Sequence, residues 1–196
     1  MKFPPAILEL NPGATSRLVE LYSSVPDLVL KVVKPRKTKY GDCMVNSEGT
    51  IITINDGMTP RQTFITMVHE LAHHFQFTNY IHKVSPHGPE WKMEYKKLMN
   101  NFIGVGLLDA DFEETIKNHM INPAASSCRD VSLQKSMNPG TKYVSDLVGG
   151  DRFLYKFLVY EIMEKLKKNY KCKSEINGKL FVFQPFIPIT IVSRKK

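Results

Sequence analysis

The fold and chemistry of this chain depend on Thr66-Met67-Val68-His69-Glu70-Leu71-Ala72-His73-His74-Phe75, followed after a gap by His87-Gly88-Pro89-Glu90-Trp91. If the first segment is helical, residues four apart share a face, so His69 and His73 project together. Two imidazoles placed in this way can bind one zinc ion at about 2.0–2.1 Å each. Glu70 then stands beside the metal, where its carboxylate can take a proton from a metal-bound water. The spacing predicts a zinc site with a catalytic base.

Signals for a helix surround this motif. Thr59 is suited to be the N-cap, Pro60 the first helical residue, and Gln62 the end of a capping box. Apolar residues then recur at spacings of three and four, at Phe64, Met67, Val68, Leu71, Ala72 and Phe75. The alternative is an amphipathic helix whose histidines merely border the core. The downstream histidine favours the metal site.

A catalytic zinc site needs a third protein ligand and an open position for water. The extended pattern with a glycine at position 76 and a histidine at 79 is excluded, because the chain has Gln76 and Asn79. We prefer His87, since Ser85-Pro86 resembles a helix start and Gly88 permits close approach. Four acids remain alternatives: Glu90, Glu94, Glu113 and Glu114.

Other polar residues near the motif have weaker claims. His74 points about 100° away from His73 around the helix and is expected to be a neighbour rather than a ligand. His82 and His119 are not assigned a role. Tyr80, Tyr95 and His74 are candidates for stabilising an oxyanion.

Composition limits the class of protein. With 196 residues, 42% of them apolar, the chain can form one good core and a small second lobe. No run approaches the roughly 18 apolar residues of a membrane span, and the amino end does not resemble a signal peptide. Cys43, Cys128 and Cys172 are odd in number and form no C-x-x-C pair, which favours free thiols in a reducing compartment. An intracellular protein without a membrane partner is expected, either cytoplasmic or associated with DNA.

The positive charge is concentrated in clusters. The chain has 27 basic and 19 acidic side chains, a net charge of +8. Five basic residues lie within Lys31–Lys39 (Lys31, Lys34, Arg36, Lys37, Lys39), and five lie within Lys165–Lys173 (Lys165, Lys167, Lys168, Lys171, Lys173). Such clusters attract polyanions and make DNA a candidate partner. The alternative is a solvated face that only keeps the protein soluble.

The remaining patterns predict an α+β fold. Strands are expected at 28–33, 40–45 and 50–54, the last two joined by a hairpin turn at Asn46-Ser47-Glu48-Gly49. After a loop at 126–140, the spacing from Phe153 to Leu166 predicts an amphipathic helix, and Asn177-Gly178 predicts a tight turn that leads into strands at 180–183 and 187–192. We therefore expect a metal-binding domain at 1–122, a linker at 123–149 and a helix-plus-strands extension at 150–196.

These motifs resemble the SprT-like zincins, a family of zinc metallopeptidases. The resemblance covers about Leu28 to Asn101 and rests on the hairpin, Pro60-Arg61, His69-Glu70-Leu71-Ala72-His73 and His87-Gly88-Pro89-Glu90-Trp91. It implies a zincin-like core with a small antiparallel sheet packed on the metal-binding helices. It also implies zinc on His69, His73 and His87, with Glu70 as general base. For characterised members it implies proteolysis of proteins crosslinked to or clustered on DNA, with DNA as the activating partner.

The chain departs from the family pattern after the core. Three scattered cysteines cannot form the four-cysteine zinc ribbon of many members, and the longer amino-terminal helix of the family is not evident. Any DNA contact must therefore come from the basic clusters and exposed aromatic residues. The expected function is a zinc-dependent endopeptidase acting on DNA-associated proteins, with a C-terminal α/β extension. The alternative is a DNA-binding or adaptor protein whose zinc site is structural or vestigial.

Overall fold

A computed structural model of the chain describes residues 1–36, 38–80, 84–123 and 130–195. Lys37, His82 and Cys128, which entered the predictions above, lie outside these ranges. The chain divides into two compact units, unit 1 (Met1–Ala125) and unit 2 (Ser126–Lys196). Each is described separately below. The predicted domain boundaries, at residues 122 and 150, stay predictions.

Unit 1 contains four α-helices and three strands within its described residues. A short 3-10 helix at Pro5–Glu9 is followed by α1 (Pro12–Ser23), β1 (Leu28–Val33), β2 (Gly41–Asn46), β3 (Gly49–Asn55), α2 (Pro60–Asn79), α3 (Pro89–Met99) and α4 (Ala110–Ile121). Helix α1 spans 12 residues, although no long amino-terminal helix was evident from the sequence. It begins after Asn11, whose side chain accepts a hydrogen bond from the Gly13 backbone N–H at 2.8 Å.

The sheet of unit 1 has the order β1-β3-β2. Strands β2 and β3 form the predicted antiparallel hairpin, closed at Gly49, whose φ of 127° suits glycine. Strand β1 pairs with β3 in parallel, so the sheet is mixed rather than wholly antiparallel. Strands β1 and β2 therefore form the two edges, and β3 lies in the middle with Ile52 and Ile54 fully buried.

Helix α2 is the centre of unit 1. Its predicted cap is confirmed, because the Thr59 hydroxyl accepts a hydrogen bond from the Gln62 backbone N–H at 3.2 Å. Of its predicted apolar residues, Phe64, Met67, Val68, Leu71 and Ala72 are fully buried. The helix packs against the sheet on one side and against α3 on another. It therefore presents its polar residues from a rigid and largely water-free position.

In its described part, unit 2 contains α5 (Val131–Met137), a short 3-10 helix (Val144–Asp146) and six strands: β4 (Lys142–Tyr143), β5 (Arg152–Tyr155), β6 (Leu158–Lys165), β7 (Tyr170–Ser174), β8 (Leu180–Phe183) and β9 (Pro188–Ser193). The strands form one sheet in the order β4-β9-β5-β6-β7-β8, with antiparallel pairing throughout. A cluster of buried residues forms its core: Val144, Leu147, Phe153, Tyr160, Ile162, Tyr170, Cys172 and Phe183. The predicted turn at Asn177-Gly178 is confirmed, with Gly178 at a φ of 67°.

Two local predictions for unit 2 were wrong. Helix α5 lies in the stretch predicted as loop, and its N-cap Asp130 accepts a hydrogen bond from the Leu133 backbone N–H at 3.0 Å. The amphipathic helix predicted from Phe153 to Leu166 is instead the hairpin β5–β6. Its apolar residues fit a period of 3.6, but Tyr160 and Ile162 are buried two apart on one face of a strand. Pairing with β9 on one side and β7 on the other outweighs the local pattern.

The β5–β6 turn carried no recognisable turn signal. Its two central residues, Lys156 and Phe157, have φ values of 46° and 67°, where hairpins usually place asparagine or glycine. Phe157 is 95% exposed. The turn therefore combines unfavourable backbone geometry with an exposed aromatic ring.

A helix that crosses a bilayer must be both long and apolar. None of the helices in the described ranges meets both conditions.

Candidate metal centre

Three imidazoles converge on one point in unit 1. His69 and His73 lie one turn apart on α2, and His87 lies on the turn that precedes α3. The Nε2 atom of His87 is 2.9 Å from that of His73 and 2.9 Å from that of His69. His73 is buried, and the other two rings are half-buried. The three nitrogens thus form a single, partly accessible donor set.

His87 reaches this point through a tight turn. The Gly88 backbone N–H donates to the Ser85 carbonyl at 2.9 Å, and His87 has a φ of 60°, a left-handed conformation that is unfavourable for a residue with a side chain. Proline at the second position and a positive φ at the third are features of a type II turn. The prediction that His87 begins a helix capped at Ser85 is wrong. Helix α3 begins at Pro89, with Gly88 as its N-cap.

An aromatic wall closes one side of the site. The ring centroid of Trp91, which is fully buried on α3, lies 4.7 Å from that of His69 and 4.8 Å from that of His87. Its indole N–H donates to the His69 carbonyl at 3.4 Å, and the ring of Tyr95 stacks on the indole with the centroids 5.0 Å apart. The wall holds the imidazoles in place and keeps water from this side.

Burial favours the neutral form of all three imidazoles. It lowers the pKa of His73 to about 4, with a smaller contribution from the nearby His87. Burial also lowers the pKa of His69 well below its ordinary value and lowers that of His87. Only a neutral imidazole has a lone pair for a metal ion. Three neutral nitrogens that converge with access on one side fit the donor set of a catalytic zinc site.

Glu70 lies next to His69 on α2 and faces strand β2. It is 7% exposed, and burial raises its pKa to about 8. The charge of Asp42 adds to this rise, while Arg36 and Lys39 oppose it. A cation bound at the imidazoles would also oppose it, because a positive charge favours the carboxylate.

Strand β2 approaches Glu70 closely at Gly41. A Cβ atom on Gly41 would lie 2.5 Å from Glu70 Oε1, 2.6 Å from Glu70 Cγ and 2.8 Å from Thr66 Cγ2. These separations are shorter than any ordinary van der Waals contact. Only glycine therefore allows the strand and this carboxylate to occupy their present positions.

The structure places the acids that were alternative third ligands in other contacts. Glu94 accepts hydrogen bonds from the Tyr80 hydroxyl at 3.2 Å and from Lys97 at 3.0 Å. Glu113 pairs with Lys117 at 2.7 Å. Glu114 accepts from the Asn118 side chain at 3.3 Å, and Glu90 lies beside Gly88. Among the described residues, the group able to hold a metal comprises His69, His73 and His87.

The three candidates for oxyanion stabilisation all contact other side chains of unit 1. His74 faces the sheet, where its Nδ1 is 2.8 Å from the Thr50 hydroxyl. Tyr80 is bonded to Glu94, and Tyr95 stacks on Trp91. His119 is buried on α4 with its ring centroid 6.0 Å from that of Tyr95. The roles of His74, Tyr80 and Tyr95 in stabilising an oxyanion stay predictions.

Sequence reasoning missed two residues that contact the site. Gly41 lies in the strand predicted at 40–45, and glycine inside a strand often indicates that another part of the chain approaches its backbone closely. Gln76 was used only to exclude another ligand pattern, although a residue three positions after His73 shares its helix face. Its side-chain oxygen lies 3.2 Å from His73 Nδ1. Both signals were present in the sequence.

Of the comparisons with known proteins, the comparison with protein families agrees with the metal-binding motif. No curated protein and no solved structure matches the chain. The model of the SprT-like family matches residues 15–118, which is more than half of the chain and includes α2, the turn at His87 and α3. The resemblance inferred from the sequence is thereby confirmed, and the chain belongs to the SprT-like family.

Proposed function

We propose that the chain is a zinc-dependent endopeptidase. The observation that carries this proposal is the convergence of three imidazole nitrogens, two of them on the helix that also carries the buried carboxylate of Glu70. His69, His73 and His87 would hold the zinc ion. Zinc, when bound in such a site, polarises a carbonyl group and makes water a stronger acid. Membership of the SprT-like family supports a metallopeptidase-type domain.

Glu70 is the group to which we assign proton transfer. Its carboxylate takes a proton from the water that attacks the scissile carbonyl carbon. When the carbon–nitrogen bond breaks, Glu70 delivers that proton to the leaving amine nitrogen. A carboxyl group whose pKa is raised toward neutrality can perform both halves of this task. The close fit against Gly41 holds the carboxylate in one position.

DNA-associated proteins are the substrates that we propose. The cluster Lys165–Lys173 surrounds the β6–β7 turn, and its members Lys165, Lys167, Lys168 and Lys173 are exposed. Lys171 pairs with Glu164 at 3.0 Å. In the cluster Lys31–Lys39, by contrast, Arg36 donates to the Asn55 side chain and Lys39 pairs with Asp42. Among the described residues of these two clusters, the β6–β7 turn therefore has more exposed basic side chains without an acidic partner of their own for a phosphate backbone to contact.

The decisive experiment separates zinc binding from cleavage. Glu70→Gln is expected to retain zinc and lose hydrolysis of a DNA-bound protein, because the amide cannot accept the proton. His73→Ala is expected to lose zinc. Glu114→Gln, an exposed change of the same kind on α4, is the matched control and should cleave like the wild type. A Glu70→Gln variant as active as the wild type would disprove the assigned chemistry.

The DNA part of the proposal has its own test. Cleavage should be compared with and without single-stranded DNA, in the wild type and in a Lys167→Glu/Lys168→Glu variant. We expect the variant to bind DNA more weakly and with a smaller dependence on salt, because fewer counterions are released. Equal DNA binding by both proteins would remove this turn as the contact, while leaving the hydrolysis result unaffected.

A further inference from the structure

Gln76 occupies an unusual position for a polar residue. It lies on α2, one turn after His73, and its side chain is fully buried. Burying an amide is unfavourable unless its oxygen and nitrogen both find hydrogen-bond partners. Gln76 has both partners, and they belong to two different segments of the metal centre.

The first partner is the ring of His73, and the second is the carbonyl of Ser85. Gln76 Nε2 donates to the Ser85 oxygen at 2.9 Å, and Gln76 Oε1 lies 3.2 Å from His73 Nδ1. The orientation of the amide follows from chemistry, because a backbone carbonyl can only accept. The amide nitrogen must therefore face Ser85, and the amide oxygen must face His73.

This orientation determines the tautomer of His73. The Gln76 oxygen accepts, so His73 Nδ1 must carry the hydrogen and donate it. The lone pair of the neutral ring is then on Nε2, the atom that lies 2.9 Å from His87 Nε2 in the metal centre. A hydrogen bond of this kind to the remote ring nitrogen orients a metal ligand and increases its basicity.

The Ser85 contact acts on the other segment. Ser85 begins the turn that carries His87, and its carbonyl also accepts the Gly88 N–H at 2.9 Å. That turn holds His87 at a φ of 60°, a conformation which needs support from its surroundings. Gln76 therefore ties the last turns of α2 to the turn that presents the third imidazole.

We propose that Gln76 is a positioning residue that couples the two segments of the metal centre, by setting the tautomer of His73 and by holding the turn of His87. The proposal rests on the proposed function for the identity of the metal, but its test does not require hydrolysis. It predicts that the affinity for zinc depends on a side chain that does not bind the ion.

The experiment measures the His73 tautomer and the zinc affinity of the full chain. Nitrogen-15 NMR of the metal-free wild type should show the hydrogen of His73 on Nδ1. Gln76→Leu removes both hydrogen bonds and should lower zinc affinity about 10- to 100-fold in competition with a chelator. Gln76→Glu keeps the acceptor and should keep the tautomer while losing the bond to Ser85, which places its affinity between the other two. Thr78→Val is the matched control on the same helix, because the exposed Thr78 hydroxyl donates to the His74 carbonyl, within α2 itself.

Two results would overturn the proposal. One is a wild type in which the hydrogen of His73 lies on Nε2, a measurement that needs no variant to fold. The other is a folded Gln76→Leu protein with wild-type zinc affinity. Neither result depends on whether Glu70→Gln loses cleavage, so this proposal and the proposed function fail separately.

Discussion

Adding one methyl group at Gly41 is expected to disable Glu70 without removing zinc. In Gly41→Ala the new Cβ would meet Glu70 Cγ at 2.6 Å, about 1 Å closer than the roughly 3.5 Å at which carbon atoms pack. Overpacking of this size costs about 1–3 kcal/mol of folding free energy if nothing moves. The carboxylate is the group that gives way most easily, and a shift of about 1 Å at a catalytic group lowers turnover about 100-fold.

The assay for Gly41→Ala combines zinc content, urea unfolding and hydrolysis of a DNA-bound protein. We expect full zinc content, a small loss of stability, and a kcat reduced about 100-fold with little change in KM. Met44→Ala is the control, because Met44 lies on the same strand and is 53% exposed. Thr66→Ser removes the third crowded atom, 2.8 Å from the new Cβ, and should restore part of the kcat of Gly41→Ala. A wild-type kcat for Gly41→Ala would refute the reasoning.

Two further predictions concern stability. His87→Gly should abolish zinc binding. It should also raise the unfolding free energy of the metal-free protein by about 0.5–1 kcal/mol, because relief of the positive φ exceeds the extra entropy of glycine in the unfolded chain. His87→Ala keeps the strained backbone, so an equal gain for that variant in urea unfolding would contradict this account. Asp151→Asn should destabilise unit 2 by about 1–3 kcal/mol at pH 7, because the buried carboxylate accepts the Val148 and Lys195 backbone N–H groups. These hydrogen bonds lower the pKa of Asp151, so its contribution to the free energy of unfolding is present above the ordinary carboxyl pKa and disappears as pH falls through the lowered pKa. A difference in unfolding free energy between wild type and variant that persists at pH 2 would be the contrary result.

The elements of unit 1 that could be predicted from the sequence are those with strong local signals. Thr59-Pro60 marks the start of α2, the spacing from Phe64 to Ala72 marks its buried face, and the hairpin turn before Gly49 marks β2 and β3. The α+β class followed from these elements and is confirmed. The parallel partner of β1 could not be predicted, because strand neighbours depend on where a connection crosses the sheet.

In the candidate site, too, some features could be predicted from the sequence and others could not. The shared face of His69 and His73 follows from helix geometry alone. That His87 joins them depends on a turn in which Pro86 suits the second position but a histidine takes a third position that favours glycine. The contacts of Gln76 and Gly41 depend on segments 9 and 29 residues away along the chain, at Ser85 and Glu70. Contacts between segments that are distant along the chain produce only weak patterns in a sequence.

Unit 2 shows how pairing between strands can override a local pattern. The residues from Phe153 to Leu166 satisfy a helical period, yet they form two strands because each has a partner on both sides. No asparagine or glycine marked the turn between them. Hairpins with atypical turn residues are therefore the elements that local sequence patterns predict least well.

The turn at Lys156 and Phe157 has a consequence for how unit 2 tolerates change. The register of β5 and β6 is held by β9 and β7, so the connector between the two strands contributes little to specifying the sheet. Lys156 and Phe157 are unfavourable residues for the positive φ values that this turn requires, so the sequence of the connector does not itself favour hairpin closure. A foreign loop or a reporter peptide can accordingly be inserted at this tip with the strand order preserved, which makes it the natural attachment point for a label on this protein.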